Sequence, residues 1–351
     1  MKRNYGLDLL RLVLMFLVAV LHILGHGGIL QGAEQGSVAY RVAWLIETLA
    51  YCTVNCYALI TGYVYTDKQP RLSSYGLLWL QVLCYSIGIA ACGWILNPEK
   101  LTAESLQAFL FPVSGDRYWY FSAYTGLFLL IPLLNAGLAA FSRKQAAVTL
   151  AVLFAAFSVI PTFSGRDVFA TNEGYSTLWL LLMYLLGACI QKFGFAECFS
   201  AGKGIALYLG SCGIAWGIKL IWADGIKLID YPSPLMVLAA LGLFLAFQNV
   251  RIPTWAQKWI AILAPGAFGV YLIHEHPYIR NYLIMDRFAF LTDYSVPVMV
   301  LAVLGIALGI FVICLSIDLI RNWVFKCLKI KERLEKLEEK MLAKRAKKLE
   351  K

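Results

Sequence analysis

The sequence predicts an all-α, polytopic membrane protein of about ten transmembrane helices with both termini cytoplasmic. Three observations predict it. Of 351 residues, 60% are hydrophobic and only 15% charged, and the mean hydropathy is +0.69, well outside the range of soluble globular proteins. Apolar stretches near the length of about 18 to 20 residues that crosses a hydrocarbon core recur from residue 6 to residue 320. They leave no room for a separate water-soluble domain. With the N-terminus inside, 23 of the 31 Lys and Arg fall on the cytoplasmic side and 8 outside, as the positive-inside rule requires. The net charge of +10 therefore reads as orientation in a bilayer, and no nucleic-acid partner is expected.

In chain order, the first span covers 6–25. Lys2 and Arg3 ahead of it imitate a signal peptide, but Asp8 and Arg11 interrupt the apolar run and no A-x-A site follows. A retained helix is expected. The next spans are 44–65, 74–96 and 118–138, the last opening on Tyr118, Trp119, Tyr120 and Tyr124, where an interfacial aromatic belt is the default explanation. Then come 146–161, which is short, 176–193, 204–222, the short 234–249, 260–276 and 295–320. Cys52, Cys56, Cys84, Cys92, Cys189, Cys212 and Cys314 lie inside spans and no C-x-x-C pair occurs, so they read as small apolar fillers. These spans make one membrane domain, 1–320. From Arg321 to Lys351 a charged tail carries Leu334, Leu337 and Met341 at helical spacing. It reads as a solvated cytoplasmic helix touching anionic headgroups, its apolar stripe being too short for a coiled coil.

Ionisable groups inside membrane helices are expensive and mark function. The first span carries Asp8, Arg11, His22 and His26. Arg11 and His22 are three helical turns apart, on one face within about 20° and about 16 Å along the axis. Taken singly, Arg11 is a snorkelling anchor and His22 a packing residue; the shared face favours a functional axis across the membrane. All four histidines, His22, His26, His274 and His276, fall at the predicted outer ends of the first and ninth spans. Imidazole is suited to take a proton from a hydroxyl near neutral pH, and Glu275 can orient one ring. The His22/His26 spacing with the HEH triplet also suits a metal, but a metal-free site is expected. Glu47 and Asn55 in the second span are buried polar candidates for contacting an acceptor, although interhelical packing explains Asn55 equally well. Trp119 and Tyr120 can stack on a sugar.

These residues resemble a known family. Asp8-x-x-Arg11-x10-His22 resembles the opening helix of the integral-membrane acyltransferase family 3, which includes the O-antigen and exopolysaccharide O-acetyltransferases. VNCYALITGYVY (54–65), RYWYFSAYTGLFLLIPLLN (117–135) and FGVYLIHEHP (268–277) resemble three further family segments in the same order. The resemblance implies an acyltransferase of the inner (plasma) membrane that moves an acyl group from acetyl-CoA, or another acyl-CoA, to a hydroxyl of an envelope glycan or similar acceptor. It assigns the essential histidine to His22 and the arginine to Arg11, relates Lys68-x-x-Arg71 loosely to the family's Arg-x-x-Arg, and puts Thr61 where the family has serine. His274 stands in the family's YLIH segment, where a part in binding the acceptor is expected, with Glu275 beside it.

The chemistry agrees with this. Phosphates of a cytosolic cofactor need cations at the inner face, which Arg11, Lys68 and Arg71 supply, and the Arg11–His22 separation is comparable with the reach of a pantetheine arm. The rival classes are a proton-coupled small-molecule transporter and, with less support, a sensor or scaffold acting through the tail.

Overall fold

The computed structural model describes residues 3–66, 68–98, 103–115, 117–195, 197, 199–222 and 227–349 and is helical, without strands, among them. Lys2, Lys100 and Lys351, counted in the charge balance above, lie outside the described residues.

Twelve helices carry the architecture: α1 (Tyr5–Leu24), α2 (Val38–Tyr51), α3 (Thr53–Tyr65), α4 (Leu72–Leu96), α5 (Trp119–Ala140), α6 (Arg143–Ser164), α7 (Thr177–Phe193), α8 (Ala201–Ile221), α9 (Pro234–Gln248), α10 (Thr254–His274), α11 (Val296–Cys327) and α12 (Ile330–Leu349). Among the described residues, eight segments are long and apolar enough to cross a membrane, α2 and α3 counting as one, and α7 and α9 are shorter apolar helices. The chain is thus an α-helical membrane protein. The fifth span, read from sequence as short, is a 22-residue helix. It contains a π-helical turn, Ala155–Val159, just before Pro161, whose missing N–H and ring displace the regular hydrogen-bond ladder. The second predicted span is broken at Cys52, whose φ −72°, ψ 0° leaves helical geometry.

Helix starts follow from capping chemistry. Asn4 accepts from the Leu7 N–H, Ser37 from Tyr40 and Ser200 from Lys203, and Ser142 with Gln145 completes a capping box. Packing in an apolar solvent rests on close backbone approach. At the α3–α7 crossing, a Cβ on Gly62 would lie 2.0 Å from the Tyr184 carbonyl oxygen, and one on Gly187 would lie 2.1 Å from that of Leu59. Only glycine fits at either position.

Helix α1 runs through the interior, against α2, α3, α9, α10 and α11, so its polar residues face protein. Elsewhere Leu133 of α5, Val152 of α6, Ile214 of α8 and Leu301 of α11 are exposed, as lipid-facing surface should be.

Two polar features go beyond the sequence reading. Asp318 on α11 is fully buried and accepts hydrogen bonds from Gln81 (2.9 Å), Tyr85 (2.9 Å) and Arg321 (2.7 Å), tying α4 to α11. The signal was available, because a carboxylate inside an otherwise apolar span demands a partner. The tail also differs from a purely solvated helix. Helix α11 continues past residue 320 to Cys327, the chain turns at Lys329 (φ 50°), and α12 docks on the start of α4. Arg71, the N-cap of α4, supplies no capping side chain. Glu338 of α12 fills that role, accepting from the Leu72 N–H (2.8 Å) and the Ser73 hydroxyl (2.6 Å), where the helix dipole also favours an anion. The Ser73 hydroxyl, the Leu72 and Ser73 N–H groups and Arg71 together hold the Glu338 carboxyl below its ordinary range.

Candidate active site

Two cavities open along α1. The one at its N-terminal end, roughly 690 Å³, is lined by Arg3, Asp8, Arg11, Tyr65, Lys68 and Pro265 among others. Asp8 joins the two arginines, with Oδ1 2.6 Å from Nη1 of Arg11 and Oδ2 2.6 Å from Nε of Arg3. The carboxylate fixes the direction of both guanidiniums while leaving each further donors. Lys68 and Arg11 line the same cavity. Arg71 does not line this cavity; its guanidinium lies against the tail, 3.4 Å from Glu338 and 3.6 Å from Glu335.

The second cavity, roughly 350 Å³, lies towards the other end of α1, and His22, His26, Glu47, Tyr57, Trp119 and Tyr120 are among its lining residues. Tyr57 connects the two regions, since its ring lines this cavity while its hydroxyl donates to the Arg11 carbonyl at 2.6 Å. Trp119 and Tyr120, whose default reading was an interfacial belt, thus have ring surface on the cavity. Asn55 does not line it. Its amide donates to the Tyr231 carbonyl (2.8 Å) and accepts from the Trp179 indole N–H (2.7 Å), a fully satisfied interhelical tie.

The histidine pairs meet in space. Pro277 ends α10 because proline cannot extend a helix, which leaves His274, Glu275 and His276 at its terminus beside the C-terminal turns of α1. Nδ1 of His22 lies 2.8 Å from Nε2 of His274, and Nδ1 of His274 lies 2.6 Å from the Val270 carbonyl oxygen. A carbonyl only accepts, so Nδ1 of His274 carries the proton and its Nε2 is the acceptor. Nδ1 of His22 must then donate, which puts the lone pair of His22 on Nε2. His274 is itself fully buried and absent from the cavity wall; it holds His22 rather than facing an acceptor.

Glu275 lies beneath this pair. Its Oε2 is 3.2 Å from Nδ1 of His22 and 3.5 Å from Nε2 of His26, and its Oε1 is 2.7 Å from Nη1 of Arg280. Oε2 accepts no well-directed hydrogen bond among the described residues, and its charge favours the protonated form of either imidazole. His22, His26 and Glu275 bring three ligand atoms within 4.8 Å of one another, which would suit a divalent cation. Doing so through Nδ1 of His22 would displace the proton shared with His274, and Arg280 already neutralises the carboxylate. His276, expected among the residues facing outer water, is instead fully buried: it stacks on Phe109 at 4.8 Å, and its Nε2 is 3.2 Å from the Ser86 carbonyl oxygen.

A family model described as an acyltransferase domain matches residues 4–318. The chain belongs to acyltransferase family 3. No curated protein and no solved structure matches it. Each motif of this acyltransferase has a structural role. The Asp8–Arg11–His22 helix links both cavities. In Thr61-Gly62-Tyr63 the glycine permits the α3–α7 contact, while the Thr61 hydroxyl returns to the Tyr57 carbonyl at 2.9 Å. Asn135, in the trailing Pro-Leu-x-Asn, donates to the carbonyls of Tyr65 (2.9 Å) and Lys68 (3.1 Å) and so anchors the loop that presents Lys68. Sequence reasoning missed Arg280, which read only as an outer-loop cation, and the rings of Tyr51, Tyr175, Tyr231 and Tyr271, which come from four separate segments of the chain.

Proposed function

We propose that this acyltransferase is an O-acyltransferase, acetyl being the expected group, that draws on acyl-CoA from the cytoplasm and acylates a hydroxyl of an envelope glycan or related acceptor on the other side of the membrane. The observation that carries the proposal is that Arg11 and His22 stand on one interior helix, each lining its own cavity at opposite ends of it. In this reading the nucleotide phosphates stay at the Arg11–Lys68 cavity, where cations are available and water need not be fully surrendered. The pantetheine arm passes Tyr57 towards His22.

The chain supplies a base whose free nitrogen is already selected. In the general-base route, Nε2 of His22 takes the acceptor's O–H proton as that oxygen attacks the thioester carbonyl. The C–S bond then breaks, and the proton passes from the imidazolium to the departing CoA thiolate. In the nucleophilic route, Nε2 attacks the thioester carbonyl and the C–S bond breaks to release CoA thiolate; the acceptor oxygen then attacks the acyl-imidazolium, the N–acyl bond breaks, and the acceptor's proton passes to the thiolate. In both, positive charge develops on His22, and Glu275 Oε2 at 3.2 Å from its Nδ1 stabilises that charge more than the neutral ground state. No separate observation favours the transporter reading.

The test is transfer of label. Membranes or purified protein given acetyl-CoA labelled in the acetyl group should move label into envelope glycan, and uptake of solute into vesicles without acylation would replace the proposal with the carrier.

A further inference from the structure

The far wall of the His22 cavity carries a buried carboxyl group whose Oε2 has no partner among the described residues. It belongs to Glu47, on α2, which is more than nine-tenths buried. The other carboxylate on the wall, Glu275, is matched by Arg280 at 2.7 Å. Beside Glu47 the wall is aromatic: Trp119 and Tyr175 have centroids 4.5 Å apart, Tyr51 and Tyr231 4.8 Å, and Tyr175 and Tyr231 5.1 Å. A buried carboxylate left without cation or donor is costly, and a wall of rings presents negative π-faces that add to its pull on a cation.

Resting on the assignment of this cavity to the acceptor, we infer that the acceptor, or the acceptor-side molecule that carries it, has an ammonium-type cation, which sits over the rings of Trp119, Tyr175 and Tyr231 and against Glu47. A neutral polyol would supply hydrogen-bond donors to Glu47 but would offer no positive charge to its carboxyl or to the aromatic rings beside it. A cation satisfies the carboxylate and the aromatic faces together. The hydroxyl to be acylated would then point away from Glu47, towards Nε2 of His22.

Choline and its uncharged isostere 3,3-dimethyl-1-butanol test this directly, because they share shape and hydroxyl and differ in charge. Binding is read on purified full-length protein by calorimetry and by quenching of tryptophan fluorescence, without acyl transfer. Choline should bind about tenfold or more tightly than the isostere, the scale of a desolvated cation–π contact. Glu47→Gln should remove the preference, and His22→Ala should retain it. Equal binding of the two probes, no binding of either, or a preference unchanged in Glu47→Gln would overturn the inference. The two readings fail separately: label transfer from acetyl-CoA without any preference for choline leaves the proposed reaction standing and removes the cation subsite, whereas a Glu47-dependent preference without label transfer does the reverse.

Discussion

Nδ1 of His22 and Nε2 of His274 lie 2.8 Å apart, joining the first and tenth helices across 252 positions of sequence. This one hydrogen bond fixes which nitrogen of His22 is free, and through the 2.6 Å contact of His274 with the Val270 carbonyl it ties that choice to the backbone of α10. Chemistry proposed for His22 therefore depends on a residue buried behind the cavity wall.

Replacing His22 by Ala should lower acyl transfer by at least about a hundredfold, the usual scale for loss of a general base, with CoA binding nearly unchanged. His26→Ala should be milder, since that ring is the more exposed of the two. Parallel measurements of label transfer and CoA affinity check both; near-normal transfer by the His22 variant would return α1 to a structural role.

His274→Gln should retain more transfer than His274→Ala, because a glutamine amide can still offer an acceptor to Nδ1 of His22. The readout that separates positioning from mere packing is the pH–rate profile. Its acid limb, which reports protonation of His22, should shift in His274→Ala, where the tautomer of His22 is no longer fixed, and stay close to the parent in His274→Gln.

At the other cavity, Arg11→Ala or Lys68→Ala should weaken CoA binding by removing a charge-assisted phosphate contact while leaving His22 in place. Arg71→Ala should act differently. Its guanidinium is engaged by Glu335 and Glu338, so the variant should loosen α12 and affect CoA less than Arg11→Ala does, as equilibrium binding of CoA to the three purified variants will show.

Gly62→Leu should prevent the α3–α7 crossing from forming, since even the first added carbon would sit 2.0 Å from the Tyr184 carbonyl oxygen. A cost of about 3 kcal/mol or more is expected for such overpacking. Thermal unfolding in detergent, compared with Gly88→Leu, where a Cβ meets nothing within 4 Å, measures it.

Docking of the tail should be pH-dependent in a stated direction. The folded-state carboxyl of Glu338 is held below its ordinary value, chiefly by the Ser73 hydroxyl, so its contribution is complete above the unfolded value of about 4.3 and is lost as pH falls through the lower folded value. A distance probe between α12 and α4 should report a docked tail at neutral pH and release on acidification through the lowered folded-state value. Glu338→Gln should be undocked or weakened at every pH.

The sequence by itself determined the membrane class, the approximate positions of the helices, and the stripe that places Arg11 and His22 on one face of α1. Those features depend on local quantities: apolar length against bilayer thickness, and 3.6 residues per turn. It also marked His274 and Glu275, through their place at the predicted outer end of an apolar span. Tertiary structure alone decided that His274 sits behind His22, that Arg280 neutralises Glu275 while Oε2 of Glu47 has no partner among the described residues, and that Arg71 belongs to the tail. The physical reason is that these helices are apolar on nearly every side, so hydropathy cannot say which face meets which neighbour. That choice is made by close backbone contact, as at Gly62 and Gly187, and by polar groups such as Asp318 that must find partners where no water is available.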